Sequence, residues 1–229
     1  MTEMQLTAAD DHTFGAYRVE PSGMPRGAVI VVQEIFGVND HIRSVADRVA
    51  EAGYVAVAPY LFDRVERGLE LGYDAAGVER GRDAAWNLPL DGPVEDLRTT
   101  AADLAGEMGG ADRVGAVGFC YGGMLAAAIA SRAPRHLGAS VAYYPSMAAQ
   151  LLAKDQPHIP LLVHLGDTDT RVTPEDGRTL EGRWPDATFV HHDAGHGFNC
   201  DLRPDYDADA AAAAWQRTLD FLAEHLDAS

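Results

Sequence analysis

The chain has 229 residues with 47% hydrophobic and 23% charged positions, ordinary globular usage that excludes a disordered or low-complexity protein. Eighteen Lys and Arg stand against 35 Asp and Glu, a formal net charge of −17. That balance disfavours nucleic-acid backbones and anionic membranes, which would be repelled rather than neutralised, but it leaves a small anionic substrate open. The first eleven residues are polar and acidic and lack the basic start and apolar core of a secretory signal. No apolar run reaches the ~18–20 residues that span a bilayer. Cys120 and Cys200 are the only cysteines, and a chain long enough to bury a large core needs no disulfide, so a reducing, cytoplasmic setting is expected.

Short runs of Val, Ala and Ile alternate with longer helical patterns, the signature of a mostly parallel sheet with helices on both faces. Weakly alternating strands are expected at 4–7 and 13–20, and the first continuous buried strand at 28–33. After Asn39-Asp40, a plausible cap, the spacing of Ile42, Val45, Ala46 and Val49 predicts a helix over 41–52, stopped by Gly53. A strand follows at 54–58. Residues 60–90 carry scattered glycine and charge and read as loop with a short helix. Pro93 suits the first turn of a helix over 94–108, and Gly109-Gly110 end it. Further strands are expected at 113–119, 137–143, 161–165 and 187–192. Helices are expected at 121–133, from Thr173-Pro174 to about 183, and over 207–226. No repeat or composition break divides the chain, so residues 1–229 read as one domain.

Three loops carry the chemistry. Gly118-Phe119-Cys120-Tyr121-Gly122-Gly123 lies between a strand and a helix of small residues. It is a G-x-S-x-G nucleophile elbow with Cys in place of Ser. Side chains two residues either side of the nucleophile would collide with the neighbouring strand and helix, hence the glycines. The helix N-terminus offers unpaired N–H groups and a positive dipole end, which favour a thiolate and an oxyanion. A buried structural cysteine in a glycine-rich turn is the blander reading. Asp167 and Asp169, after the strand at 161–165, compete as the acid that orients an imidazole. His196, flanked by Gly195 and Gly197 beyond the last strand, has little packing reason to be there. The order Cys, Asp, His is the nucleophile–acid–base order of α/β-hydrolases.

The sequence resembles the dienelactone hydrolase (carboxymethylenebutenolidase) family of α/β-hydrolases over nearly its whole length. The likeness runs from Asp11-His12-Thr13-Phe14-Gly15-Ala16 through Gln33-Glu34-Ile35-Phe36-Gly37-Val38-Asn39, the elbow and Ala194-Gly195-His196-Gly197-Phe198 to Arg217-Thr218-Leu219-Asp220-Phe221-Leu222. The resemblance implies a three-layer α/β-hydrolase fold and a catalytic triad of Cys120, Asp169 and His196. Asp169 is favoured over Asp167 because Gly166, Asp169 and Val172 fit the family's spacing. It also implies oxyanion donors at the Ile35 and Tyr121 N–H groups, and a glutamate, Glu34, that accepts the thiol proton when substrate arrives.

One departure bears on the substrate. Such enzymes hold the substrate carboxylate with two arginines, and the one expected a few residues after the triad His falls here on Cys200, with Arg203 three positions on. The second corresponds to Arg82, or less closely to Arg80. Activity on anionic dienelactone is therefore expected to be weak relative to neutral esters, unless Arg82 or Arg203 supplies the charge. Phe36, Trp86, Tyr143 and Tyr144 are candidate pocket walls. The expected activity is thiol-dependent hydrolysis of a small ester or lactone, by a monomer or small homo-oligomer. No metal or organic cofactor is expected, because no His, Cys and carboxylate cluster has zinc spacing and no glycine loop fits a nucleotide. The rivals are a broader carboxylesterase or thioesterase, and a non-catalytic protein on the same fold that binds a metabolite or senses oxidants through Cys120.

Overall fold

Runs such as Ala28–Val32 and Val55–Pro59 have no polar side to offer solvent, and they occupy the middle of a sheet. The structure, a computed structural model, describes residues 2–226. In chain order the elements are β1 (Thr2–Thr7), β2 (Thr13–Val19), β3 (Ala28–Val32), α1 (Asp40–Glu51) and β4 (Val55–Pro59). Then come α2 (Ala75–Trp86), α3 (Asp91–Met108), β5 (Val114–Phe119), α4 (Tyr121–Arg132), β6 (Ala139–Tyr143) and the short α5 (Ala148–Leu151). The chain closes with β7 (Leu161–Gly166), α6 (Pro174–Arg183), β8 (Thr188–His192) and α7 (Ala208–Leu226).

The eight strands lie in the order β1-β2-β4-β3-β5-β6-β7-β8. Pairing is antiparallel at β1/β2 and β2/β4 and parallel from β4 to β8. Side chains alternate between the two faces, as the two-residue period of a strand requires. Ala28, Ile30 and Val32 of β3 join Leu97, Leu104, Met124 and Ile129 of α3 and α4. Val29 and Val31 join Ile42, Val45 and Val49 of α1 and Phe221 and Leu222 of α7. Two apolar layers on one sheet make the three-layer arrangement. Among the described residues no helix is long and apolar enough to cross a membrane.

The helix ends follow local chemistry. Asn39 caps α1 by accepting from the Ile42 N–H at 3.3 Å. Thr173 and Asp176 form a reciprocal capping box on α6 with Pro174 in its first turn. Pro93 does sit in the first turn of α3, but that helix starts at Asp91, before Val94. The segment 60–90 departs further from expectation. After a single 3-10 turn at Leu61–Arg64 it holds a three-turn helix, α2, capped by Asp74 on the Gly77 N–H at 2.7 Å. Its glycines hid it. A Cβ on Gly81 would strike the Ile35 carbonyl oxygen, so α2 gives up helix propensity to press against the loop after β3.

Candidate active site

The parallel strands deliver their following loops to one edge of the sheet, where ligands of open α/β folds bind. Cys120 links β5 directly to α4 and holds φ 55° and ψ −111°, a left-handed conformation for a side-chain-bearing residue. Such a conformation costs about 1–3 kcal/mol and persists only where its surroundings enforce it. Here they do. The Cys120 N–H donates to the Tyr143 carbonyl at 3.1 Å, and its carbonyl accepts from Met124 and Ser146, each at 3.1 Å. A Cβ on Gly118 would strike the Gly122 carbonyl, and one on Gly122 the carbonyls of Val32 and Gln33. The elbow closes only because both positions lack side chains.

Two more loops complete the constellation. Asp169, after β7, is wholly buried, and its Oδ1 accepts from the N–H groups of Arg171 (2.7 Å) and Val172 (3.0 Å). Its Oδ2 lies 2.8 Å from His196 Nδ1, and His196 Nε2 lies 3.2 Å from Cys120 Sγ. Burial works against a charge on His196, but Cys120 and Asp169 outweigh it and raise its pKa to about 9. The geometry therefore suits an imidazole that holds a proton beside the Cys120 sulfur. Asp167 points elsewhere, 2.7 Å from Nδ1 of the half-exposed His191. Ser146, which the sequence reading passed over, brings its Oγ within 3.3 Å of Sγ. Its place just past the carboxyl end of β6 was the available signal.

Glu34 lies just beyond β3 and is 1% exposed. Its Oε1 accepts from Arg203 Nη1 at 3.1 Å, and its Oε2 lies 3.4 Å from the Tyr73 hydroxyl, which Asn39 Nδ2 tethers at 3.0 Å. Two successive turns, Cys200 N–H to Gly197 carbonyl and Arg203 N–H to Cys200 carbonyl, fold the Arg203 guanidinium back against Gly197. Burial opposes the Arg203 charge, but Glu34 together with the other acidic groups around it more than compensates, so its pKa rises. Cys200 is fully buried, and burial with the Glu34 charge nearby pushes its thiol up to about 11. Both cysteines are buried and free of disulfides, and of the two only Cys120 has an imidazole beside its sulfur at the cavity.

A cavity of about 360 Å³ opens over Sγ, lined by Cys120, His196 and Ser146. Ile35, Tyr121, Phe36, Trp86 and Arg82 also line it. Arg203 and Arg171 add two further guanidinium-bearing residues, and among the described residues no Asp or Glu joins the lining. Arg80 faces away and pairs with Glu66 at 2.6 Å. Tyr143 corrects the sequence reading: its ring is wholly buried in the core and its hydroxyl meets Thr218 Oγ1 at 2.6 Å, outside the cavity. The last residue of a buried strand turned toward α7 rather than toward the loops. Tyr144 is also fully buried and packs edge-on against the His196 ring.

A strained strand–turn–helix elbow at Cys120, with Asp169 and His196 brought to it by the loops after β7 and β8, fits the α/β-hydrolase fold. Comparison with known proteins narrows this. The sequence model of the Dienelactone hydrolase family matches residues 14–226. The chain is 33% identical over 230 residues to carboxymethylenebutenolidase of Pseudomonas putida, covering 96% of this chain and 95% of that protein. It is 35% identical over 216 residues to a candidate carboxymethylenebutenolidase of Synechocystis, covering 88% and 87%. A crystal structure of a candidate dienelactone hydrolase from Klebsiella pneumoniae superposes with a TM-score of 0.83 at 28% identity, covering 97% and 98% of the two chains. The protein belongs to the dienelactone hydrolase family.

Proposed function

We propose that this protein hydrolyses a small carboxylate-bearing lactone through a cysteine acyl-enzyme. The observation that carries the reading is the line of contacts Cys120 Sγ to His196 Nε2 (3.2 Å) and His196 Nδ1 to Asp169 Oδ2 (2.8 Å) at the cavity floor. The Cys120 thiolate attacks the lactone carbonyl carbon. The carbonyl oxygen takes the negative charge and rests on the Ile35 and Tyr121 N–H groups, whose residues line the same cavity. Collapse breaks the ring C–O bond, leaves a thioester on Cys120, and the released oxygen takes its proton from His196. Water, giving a proton to His196, attacks the thioester and regenerates the thiol.

The substrate class follows from the cations. In a protein of net charge −17, a cavity with three arginine residues and no acid is a local exception. The turns after Gly197 bring Arg203 to the cavity and onto Glu34, which supports it as the carboxylate anchor despite its offset along the chain. A substrate carboxylate that engages Arg203 competes with Glu34, and a released Glu34 is free to accept the thiol proton. The position of Arg203 at the cavity supports it as a source of the charge that an anionic substrate requires.

The test is to quench a reaction with excess lactone in acid within one turnover and map the adduct by peptide mass spectrometry. The opened lactone should be found as a thioester on Cys120. Turnover without any Cys120 adduct, or full activity in Cys120→Ala, would overturn the proposal.

A further inference from the structure

We propose that Glu34, His41 and Cys200 form a buried binding site for one thiophilic divalent cation, zinc being the natural fit. No sequence spacing announces it, since the donors come from the loop after β3, the first turns of α1 and the turn before α7. The fold brings them together: one donor atom from each lies within 4.8 Å of the other two. The residues are 1%, 3% and 0% exposed. A sulfur, an imidazole nitrogen and a carboxylate oxygen are the donor types zinc takes, with bonds of ~2.0–2.3 Å that set tetrahedral donors about 3.3–3.8 Å apart. The present cluster is slightly wider, so binding draws the three side chains inward by about an ångström and leaves a fourth position to water.

An independent observation comes from the imidazole. His41 Nε2 is buried and has no hydrogen-bond partner among the described residues, an unmet requirement that buried polar atoms rarely show. Its other nitrogen, Nδ1, faces Asp201 Oδ1 at 3.8 Å. That carboxylate is beyond hydrogen-bond reach as it stands, but an approach of about an ångström would let it accept from Nδ1–H, as partners of ligating histidines do. Binding exchanges the Cys200 S–H bond for a sulfur–metal bond and releases that proton to solvent, so the site holds two negative ligands around a dication. Two other groups touch the donors: the Tyr73 hydroxyl, 3.4 Å from Glu34 Oε2 and hydrogen-bonded to Cys200, and a competitor for the carboxylate. Arg203 touches Glu34 and also lines the active cavity, so a bound cation and the Arg203 guanidinium exclude each other from Glu34. Resting on the function proposed above, occupancy of this site then inhibits hydrolysis.

The experiment uses the full chain, stripped with chelator, and adds zinc or cobalt(II) alone. Zinc affinity is read by competition with a chromophoric chelator, and cobalt by its thiolate charge-transfer band. Wild type and Cys120→Ser should each bind one equivalent and show the band. Cys200→Ser should lose the band, and His41→Gln should weaken zinc on the order of 10–100-fold. Zinc should inhibit wild type, while His41→Gln keeps its turnover and escapes inhibition. No band in wild type overturns the site. A band lost in Cys120→Ser and kept in Cys200→Ser overturns it too, placing the cation on the nucleophile and His196. Because Cys120→Ser reports binding without turnover, failure of the hydrolase reading leaves this result interpretable. Bound zinc with undiminished hydrolysis overturns the competition with Arg203.

Discussion

Two of the buried polar networks among the described residues are chains of side chains that each centre on a histidine. In one, Cys120, His196 and Asp169 meet at a cavity. In the other, Tyr143 reaches Thr218 (2.6 Å), Thr218 reaches His164 Nε2 (3.2 Å) and His164 Nδ1 reaches His192 Nε2 (3.0 Å), closed within the core beneath α7. Both contain an almost fully buried histidine, and the two imidazoles move in opposite directions. His164 has no carboxylate beside it, and burial depresses its pKa to about 3. His196 has Asp169 and Cys120, and its pKa rises to about 9. Burial alone makes a neutral, inert imidazole; a carboxylate on one nitrogen and a thiol on the other make a base that can hold a proton.

The largest expected difference between the two is in turnover. Cys120→Ala should lower kcat/KM by ~10⁴-fold or more, as loss of a triad member does. Thr218→Val, in the closed chain, should leave kcat/KM unchanged and cost about 1–3 kcal/mol of stability in a denaturant titration, because it strands Tyr143 and His164. Next comes the orienting acid. Asp169→Asn should lower kcat by roughly 10³–10⁴-fold with the fold intact by circular dichroism. Asp167→Asn, on the exposed His191, should leave kcat unchanged. The reverse ranking would assign the wrong aspartate to the triad.

Smaller effects sharpen the picture of the cavity. Arg203→Gln should lower kcat/KM for a carboxylate-bearing lactone about 10–100-fold, the loss of one charge-assisted contact, and affect a neutral ester of similar size less. High salt should narrow that gap. An anion preference that survives Arg203→Gln would move the anchor to Arg82 or Arg171. The smallest effect is on stability against pH. His164, depressed in the folded state, loses stability as pH falls from about 6.5, where the unfolded imidazole takes a proton, toward 3. His196, raised, contributes fully below 6.5 and loses its contribution as pH rises through about 9. Melting temperatures should therefore flatten on the acid side in His164→Gln and on the alkaline side in His196→Gln; the same flattening in both variants would contradict the contrast.

The two chains were not equally visible in the sequence. The elbow was legible because its glycines sit at fixed offsets from Cys120 for a steric reason, and the strand–turn–helix around it follows from apolar periodicity. His196 stood out because glycine flanks it, and the buried strands because nothing in them suits solvent. The closed chain was invisible: Tyr143, His164 and Thr218 come from separate elements, and only the pairing of β6 with β7 under α7 unites them. The place of Arg203 could be left only as one option by the sequence, since an offset counted along the chain says nothing of turns that fold it back. Helix α2 was obscured because its Gly77 and Gly81 serve close packing rather than helix formation.

The central claim is that one thiol, Cys120, is set apart by its partners. The direct measurement is alkylation by iodoacetamide at neutral pH, with residual activity and peptide-mapped labelling followed on the same samples. The account predicts that activity falls in step with carboxyamidomethylation of Cys120 while Cys200, buried and held protonated, stays unlabelled. Activity that falls in step with labelling of Cys200, or that survives complete labelling of Cys120, would contradict it.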